Sequence, residues 1–103
     1  MRLLKEKEKK LLQCLLKEAG LKNIDLDGTR VIPLEDGGMG SLYFESVKAR
    51  ETRKMGKCIA EKQFYDDDGI PILVSINVDE QGELFELDIW KTDFSPVIKY
   101  PSC

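Results

Sequence analysis

Two short turns with similar residues divide the second half of the sequence into three strands and limit how those strands can pair. Asp-Asp-Asp-Gly at residues 66–69 and Asp-Glu-Gln-Gly at residues 79–82 both begin with aspartate and end with glycine. Aspartate favours turn initiation and glycine tolerates a left-handed backbone, so both segments predict tight hairpins. The strands they join, 57–66, 70–78 and 83–90, therefore form an antiparallel meander.

The apolar residues of these strands predict how the strands align. If Val78 pairs with Glu83, apolar side chains of the second and third strands meet on one face. The predicted pairs are Ile76 with Phe85, Val74 with Leu87, and Ile72 with Ile89. Pairing Asp66 with Ile70 extends the same face to the first strand, which places Phe64 beside Ile72 and Ala60 beside Ile76. We expect this face to form the core.

The N-terminal region supplies a helix that can cover this face. Helical spacing relates Leu11, Leu12, Leu15, Leu16 and Ala19. This pattern predicts a helix over residues 5–19, with Gly20 as its C-cap. Segments 30–34 and 41–46 are further short strand candidates. The predicted fold class is α+β, a single domain over residues 1–103, with the helix packed on one face of an antiparallel β-meander sheet of four to five strands.

Composition excludes several classes of protein. The chain has 103 residues, of which 42% are hydrophobic and 34% charged, as in an ordinary globular domain. Its longest uncharged run, 69–78, is far shorter than the roughly 20 residues that span a bilayer. The N-terminus lacks the apolar stretch of a signal peptide. We therefore expect no membrane partner and a cytoplasmic location.

The residue types present argue against an enzyme. Histidine is absent, which removes His-dependent nucleophiles, general bases and most transition-metal sites. Glu61 and Glu86 form the best acid–base candidate, but the predicted register places them two strands apart across Ser75, about 10 Å at the usual strand spacing, on an open sheet. Cys14 and Cys58 are expected to be core residues rather than disulfide or metal partners. We predict no catalytic residue, no cofactor and no metal.

Charge is segregated along the chain, and this favours a binding role. Residues 58–103 carry three basic and ten acidic side chains. The alternating pattern places Trp90 outside the core face, and a tryptophan beside carboxylates is a typical interface anchor. The predicted partner-binding residues are Asp66, Asp67, Asp68, Glu86, Asp88 and Trp90. Alternatively, segment 91–103 folds over Trp90, and the sequence leaves both arrangements open.

A second binding mode uses the basic stretch 48–57, which carries five basic side chains and one acidic side chain. It would suit an adaptor or a nucleic-acid-associated module. The stretch contains no aromatic residue on which a base could stack, and the whole chain is acidic, so a nucleic-acid partner is disfavoured. We expect a solvated loop between two strands.

Two strings carry a family resemblance. Asp-Gly-Gly-Met-Gly-Ser-Leu at 36–42 and Gly-Glu-Leu-Phe-Glu-Leu-Asp-Ile-Trp-Lys-Thr-Asp-Phe-Ser-Pro at 82–96 resemble those of small bacterial proteins classed as a domain of unknown function. That resemblance implies the α+β fold and no known catalytic residues. Small acidic proteins of this kind also resemble the immunity proteins of contact-dependent growth-inhibition systems. This second resemblance implies a toxin–antitoxin pairing, in which the chain binds and neutralises a basic toxin domain, a nuclease, through its acidic surface.

Overall fold

The structure, a computed structural model, describes residues 1–21 and 24–103. One helix lies against one face of a single antiparallel sheet. The elements are β1 (Arg2–Leu3), α1 (Glu6–Glu18), β2 (Arg30–Pro33), β3 (Leu42–Phe44), β4 (Met55–Tyr65), β5 (Pro71–Asp79) and β6 (Leu84–Lys91). The strand order is β1-β2-β3-β6-β5-β4. The α+β class is confirmed, but the sheet has six strands rather than four to five, because β1 is too short to show alternation.

The helix covers the core face as predicted. The Glu8 carboxylate accepts a hydrogen bond from the backbone N–H of Lys5 at 2.8 Å, and this bond caps the first turn of the helix. Gly20, at a φ of 77°, follows the last turn in the left-handed conformation. The helix buries Leu11, Leu12, Leu15 and Leu16 against Val31, Leu42, Phe44, Ala60, Ile72, Val74, Ile76, Leu87 and Ile89. No helix in the described part of the chain is long and apolar enough to cross a membrane.

The first hairpin has the predicted register, and the second does not. Between β4 and β5, Phe64 lies opposite Ile72, as expected. Between β5 and β6 the partner of Ile76 is Leu87 instead of Phe85, a slide of two residues. A shift of two keeps the side chains of residues 86–90 on their predicted faces, because alternation along a strand has a period of two. Leu84 and Phe85 exchange faces: Leu84 packs against the core, and Phe85 does not.

The pairing of Val78 with Leu84 instead of Glu83 accounts for one residue of the slide, and a bulge at this closed end of the second hairpin accounts for the other. Val78 pairs with Leu84, and the register is irregular at this point. The predicted place of Phe85 opposite Ile76 is therefore wrong. Phe85 is half-buried, and its ring packs edge-on against Tyr43 with 5.8 Å between the ring centroids.

The cysteine predictions are wrong. Cys14 of α1 and Cys103 form a disulfide that spans 89 residues of sequence, with 6.4 Å between their Cα atoms. Cys58 is exposed, because it lies opposite Asn77 on the face away from the helix. The Glu18 carboxylate lies within 4.8 Å of the two sulfur atoms. Sulfur atoms joined in a disulfide are not thiolate ligands, so this group could hold a metal ion only when reduced.

Core packing predicts a ranking of stabilities. Leu87→Ala removes methyl groups that are fully buried beneath α1, and it should lower the free energy of unfolding by about 2–5 kcal/mol. Ser75→Ala, on the opposite face, is the matched control and should change it by less than about 1 kcal/mol. Urea denaturation measures both. A larger loss for Ser75→Ala would mean that the two faces of the sheet are assigned the wrong way round.

Candidate functional site

The sheet face turned away from the helix is acidic and largely open. On β4, β5 and β6 the outward positions are Cys58, Glu61, Gln63, Tyr65, Pro71, Leu73, Ser75, Asn77, Glu86, Asp88 and Trp90. Three of these residues are acidic and none is lysine or arginine. We call this set the outer face. It combines carboxylates with exposed aromatic rings, such as Tyr65, which is 69% exposed.

Trp90 lies on this face, as its position in the alternation predicted. Its side chain is 36% exposed and lies opposite Leu73. The ring of Phe94, which is 70% exposed, packs beside the indole with 5.6 Å between the centroids and 58° between the planes. The sequence left open whether Trp90 is accessible or covered by segment 91–103. The structure shows part of each arrangement, because the chain after β6 touches Trp90 and leaves the indole accessible. We call Trp90 and Phe94 the aromatic pair.

The backbone of Phe94 adopts a conformation that side chains rarely accept. Its φ is 65°, the only positive value at a non-glycine residue in the described part of the chain. Its N–H donates to the carbonyl of Lys91 at 2.8 Å, which closes a turn immediately after β6. A left-handed non-glycine residue costs about 1–2 kcal/mol. The surrounding contacts therefore hold an exposed aromatic ring in place against a conformational penalty.

A cleft of about 420 Å³ opens beside the aromatic pair. Besides the two rings, its lining consists of Asp36, Met39, Ser41, Asp88 and Ile89. The Asp36 carboxylate accepts the N–H groups of Met39, Gly40 and Ser41. Partial burial raises the pKa of Asp36, but these hydrogen bonds outweigh burial and hold the pKa below its usual value. The cleft therefore carries a carboxylate that stays ionised.

The three aspartates of the first turn, which we predicted to bind a partner, do not all lie at the surface. Asp66 is buried, and its carboxylate lies 2.9 Å from the ammonium of Lys91, which is itself 1% exposed. Asp68 lies 2.6 Å from the same ammonium. Asp66 also accepts the N–H groups of Ile98 and Lys99. The prediction that Asp66 lies on an exposed surface is wrong, because this carboxylate neutralises a buried cation, whereas Asp67 is exposed as predicted.

The outer-face carboxylates are arranged differently from the acid–base pair that we considered. Because of the register slide, Ser75 lies between Glu61 and Asp88, and Glu86 lies opposite Asn77. Glu86 is half-buried, and Asp88 is exposed. Glu61 and Glu86 therefore do not face each other across Ser75, because the predicted register was two residues off.

The basic stretch 48–57 is not simply a solvated loop. Arg53 is buried and forms an ion pair with Asp79 at 3.0 Å. The same guanidinium donates to the Tyr43 hydroxyl and to the carbonyls of Phe44 and Leu84. The expectation that this stretch is a solvated loop is wrong for Arg53, because its guanidinium joins three strands. From Met55 onward the stretch belongs to β4.

The two strings of the resemblance lie against each other in the fold. The Ser41 hydroxyl donates to the carbonyl of Ile89 at 3.2 Å and accepts its N–H at 2.9 Å. The Met39 sulfur accepts the N–H of Lys91 at 3.4 Å. Gly38 packs so closely on Pro96 that an added Cβ would lie 3.3 Å from the proline Cβ. The glycine-rich loop and the end of β6 therefore form one unit beside the cleft.

A family model described as a domain of unknown function (DUF6984) matches residues 1–101. The chain belongs to this family. The DUF6984 match includes the glycine-rich loop, β6 and the turn at Phe94, so the whole cleft lies within the family domain. Comparison with curated proteins and with solved structures finds no match.

Sequence reasoning missed four residues of this region: Arg53, Lys91, Asp36 and Phe94. The alternation along β6 could have predicted that Lys91 is buried, because Lys91 follows Leu87 and Ile89 at every second position on the core face. No local pattern indicates the buried Arg53, since its partners come from distant segments. The positive φ of Phe94 likewise has no signature in the sequence.

The buried ion cluster predicts how stability depends on pH. Burial by itself raises the pKa of Asp66, but hydrogen bonds from the N–H of Ile98 and from the ammonium of Lys91 outweigh this effect. The net result is a lowered pKa. Asp66 therefore stabilises the fold fully above the unfolded pKa of about 3.9, and this contribution is lost as pH falls below that value. Lys91→Met should destabilise the protein at pH 7 at least as much as Leu87→Ala.

The same substitution should also flatten the pH dependence. Urea unfolding of the native protein and of Lys91→Met between about pH 2 and 7 gives the free energy of unfolding as a function of pH for each protein. The difference between the two slopes is the contribution of the pairing of Asp66 with Lys91. Lys91→Arg retains the charge and should retain most of the slope, and the exposed Asp67→Asn is the matched control. Equal slopes for the native protein and Lys91→Met would contradict the assigned pair.

The backbone of Phe94 predicts an unusual preference for glycine. Phe94→Gly and Phe94→Ala both remove the exposed ring, but only glycine adopts a φ of 65° without strain. The glycine variant should be more stable than the alanine variant by about 1 kcal/mol. Thermal or urea denaturation of the two variants tests this, and an alanine variant of equal stability would show that the turn relaxes when the ring is removed.

Proposed function

We propose that the protein is a non-enzymatic immunity protein that binds and neutralises a basic toxin domain through the outer face. The observation that carries the proposal is the combination of acidic side chains on the outer face with an exposed aromatic pair beside it. The outward positions of β4, β5 and β6 contribute no basic side chain, and the nearest guanidinium groups, those of Arg50 and Arg53, stack on Tyr43 of β3. The acidic groups complement a basic partner, and the rings supply apolar contact area.

The aromatic pair has the properties of an interface anchor. Trp90 and Phe94 offer large rings at the surface, and tryptophan is strongly enriched among the residues that dominate binding energy. Packing of one ring on the other and the turn at Lys91 restrict both side chains before a partner arrives. Such preorganisation reduces the conformational entropy lost on binding.

The surrounding carboxylates suit a nuclease partner. Nuclease active sites are basic because they bind phosphates, so an acidic surface can approach them with favourable long-range attraction. Glu61, Glu86 and Asp88 lie on the outer face, and Asp67 lies exposed at the adjoining turn. These charges accelerate association, whereas the rings slow dissociation.

The same geometry supports a binding role over a catalytic one. Glu61 and Asp88 lie on an open sheet, where water is not excluded from the carboxylates. Asp36 is held by three backbone N–H groups and keeps a lowered pKa, which is opposite to the raised pKa of a general acid. A bound toxin domain, rather than a turned-over substrate, fits this face.

An immunity protein acts where its toxin acts, and we propose the cytoplasm. A reducing cytoplasm would keep Cys14 and Cys103 as thiols. Neither cysteine belongs to the outer face or lines the cleft, so the face does not need the disulfide.

Trp90→Ala tests the proposal most directly. The toxin to use is the C-terminal domain of a large secreted protein encoded by a neighbouring gene, because immunity genes lie beside their toxins. Co-expression of the native protein should restore growth of cells that produce this domain. Trp90→Ala should weaken binding by about 2 kcal/mol or more, mainly through faster dissociation, in kinetic titrations of the purified proteins.

Two charge variants separate this proposal from its alternative, an adaptor or nucleic-acid-associated module that uses the basic stretch 48–57. Asp67→Lys should slow association and reduce its dependence on salt. Lys54→Glu is the matched control and should leave affinity unchanged, since Lys54 is exposed and is not part of the outer face, whereas Arg53 is structural. If Lys54→Glu abolishes binding while Trp90→Ala and Asp67→Lys do nothing, the basic stretch is the binding site.

A further inference from the structure

We propose that the cleft beside the aromatic pair binds one arginine side chain of the partner. This inference rests on the proposed function and specifies which group of a basic partner enters the face. The guanidinium would lie between the rings of Trp90 and Phe94 and the carboxylates of Asp36 and Asp88.

The geometry of the rings suits a flat cation. Their planes are tilted by 58° and their centroids are 5.6 Å apart, so the two rings form adjoining walls at the mouth of the cleft. A cation within about 6 Å of a ring centroid is attracted by the negative face of the ring. A volume of about 420 Å³ lies near the lower end of the range for ligand pockets, and it accommodates an inserted side chain.

The charge of the cleft selects a cation. Asp36 lies on one side with its ionised form stabilised by the backbone, and Asp88 is exposed at the rim. No basic residue is among the described residues that line the cleft. The nearest lysine along the strand, Lys91, points to the opposite face, where Asp66 and Asp68 neutralise it. Two carboxylates therefore face the cleft without a cation of their own.

The other aromatic rings of the protein show that its own cations occupy such positions elsewhere. Across residues 1–21 and 24–103, lysine or arginine groups lie over the rings of Tyr43, Phe64, Phe85 and Tyr100. Arg50, for example, lies 4.5 Å from the ring centroid of Tyr43. Within the same ranges no such contact involves the aromatic pair. Phe44 and Tyr65 also lack such a contact within these ranges, but the aromatic pair differs from them in lining a cleft with two carboxylates. The pair is therefore open to a cation from outside the chain.

Arginine fits the cleft better than lysine. The planar guanidinium stacks on an aromatic ring and presents a fork of N–H donors that matches a carboxylate. The Asp88 carboxylate at the rim lies 3.4 Å from the Ser41 hydroxyl, and that hydroxyl already bonds with Ile89. Asp88 therefore has acceptor capacity left for a fork of donors.

A titration with a small probe tests the inference without the toxin. Nitrogen-15-labelled protein is titrated with N-acetylarginine methylamide at constant ionic strength, and the indole N–H signal of Trp90 is followed by NMR. The citrulline analogue has nearly the same shape but no charge, and the lysine analogue has the charge without the plane. The arginine probe should bind at least about fivefold more tightly than the citrulline probe, and more tightly than the lysine probe.

Matched variants locate the probe. Asp88→Asn and Phe94→Gly should each weaken binding of the arginine probe by roughly threefold or more, since the first removes a negative charge and the second removes an aromatic wall of the cleft. Glu80→Gln removes an exposed carboxylate in the turn between β5 and β6, outside the cleft, and it should leave binding of the probe unchanged. Equal affinity for the arginine and citrulline probes, tighter binding of lysine, or no binding would overturn the inference.

The two proposals can fail separately. Suppose that Trp90→Ala lowers the affinity for the toxin, whereas Phe94→Gly and Asp88→Asn leave that affinity unchanged. The outer face is then the interface, and the cleft does not receive an arginine. If the arginine probe binds the cleft but no toxin binds the protein, the cleft recognises arginine and the immunity role is wrong.

Discussion

Lys91 is the cation around which the C-terminal half of the protein is organised. Its ammonium is buried, so it depends on the carboxylates of Asp66 and Asp68 to offset the loss of hydration. These aspartates belong to the turn between β4 and β5, whereas Lys91 ends β6. Asp66 also orders the chain beyond β6 through the N–H groups of Ile98 and Lys99. One ion cluster thus joins the first hairpin, the last strand and the irregular segment that follows.

The candidate binding site depends on this cluster although it lies on the other side of the sheet. Trp90 precedes Lys91 and points outward, and the Lys91 carbonyl accepts the N–H of Phe94. The side chain of Lys91 therefore anchors the core, and its backbone carbonyl fixes the turn that presents Phe94. The glycine-rich loop adds a second support, because its Ser41 and Met39 accept the N–H groups of Ile89 and Lys91 on either side of Trp90. Rigid support on two sides explains how an exposed aromatic pair keeps its geometry.

The sequence predicted what depends on local alternation and missed what depends on distant partners. The helix, the two hairpins and the outward position of Trp90 follow from spacing and turn residues alone. The register of β5 and β6 slid by two because the turn is one residue longer than predicted and a bulge follows it, where Phe85 packs against Tyr43 of a remote segment. The buried roles of Arg53 and Asp66 and the bond between Cys14 and Cys103 have the same origin. Charged residues were assigned to the surface by default, and only three-dimensional pairing reverses that assignment.

The strand order also has a consequence for synthesis on the ribosome. β3 pairs with β6, so the first three strands cannot join the sheet until residues 84–91 have left the exit tunnel. Until then the nascent helix has no complete surface on which to place Leu11, Leu12, Leu15 and Leu16. A growing chain with an apolar helix and unpaired strand edges is a substrate for chaperones. The exposed state therefore lasts until β6 emerges and pairs with β3.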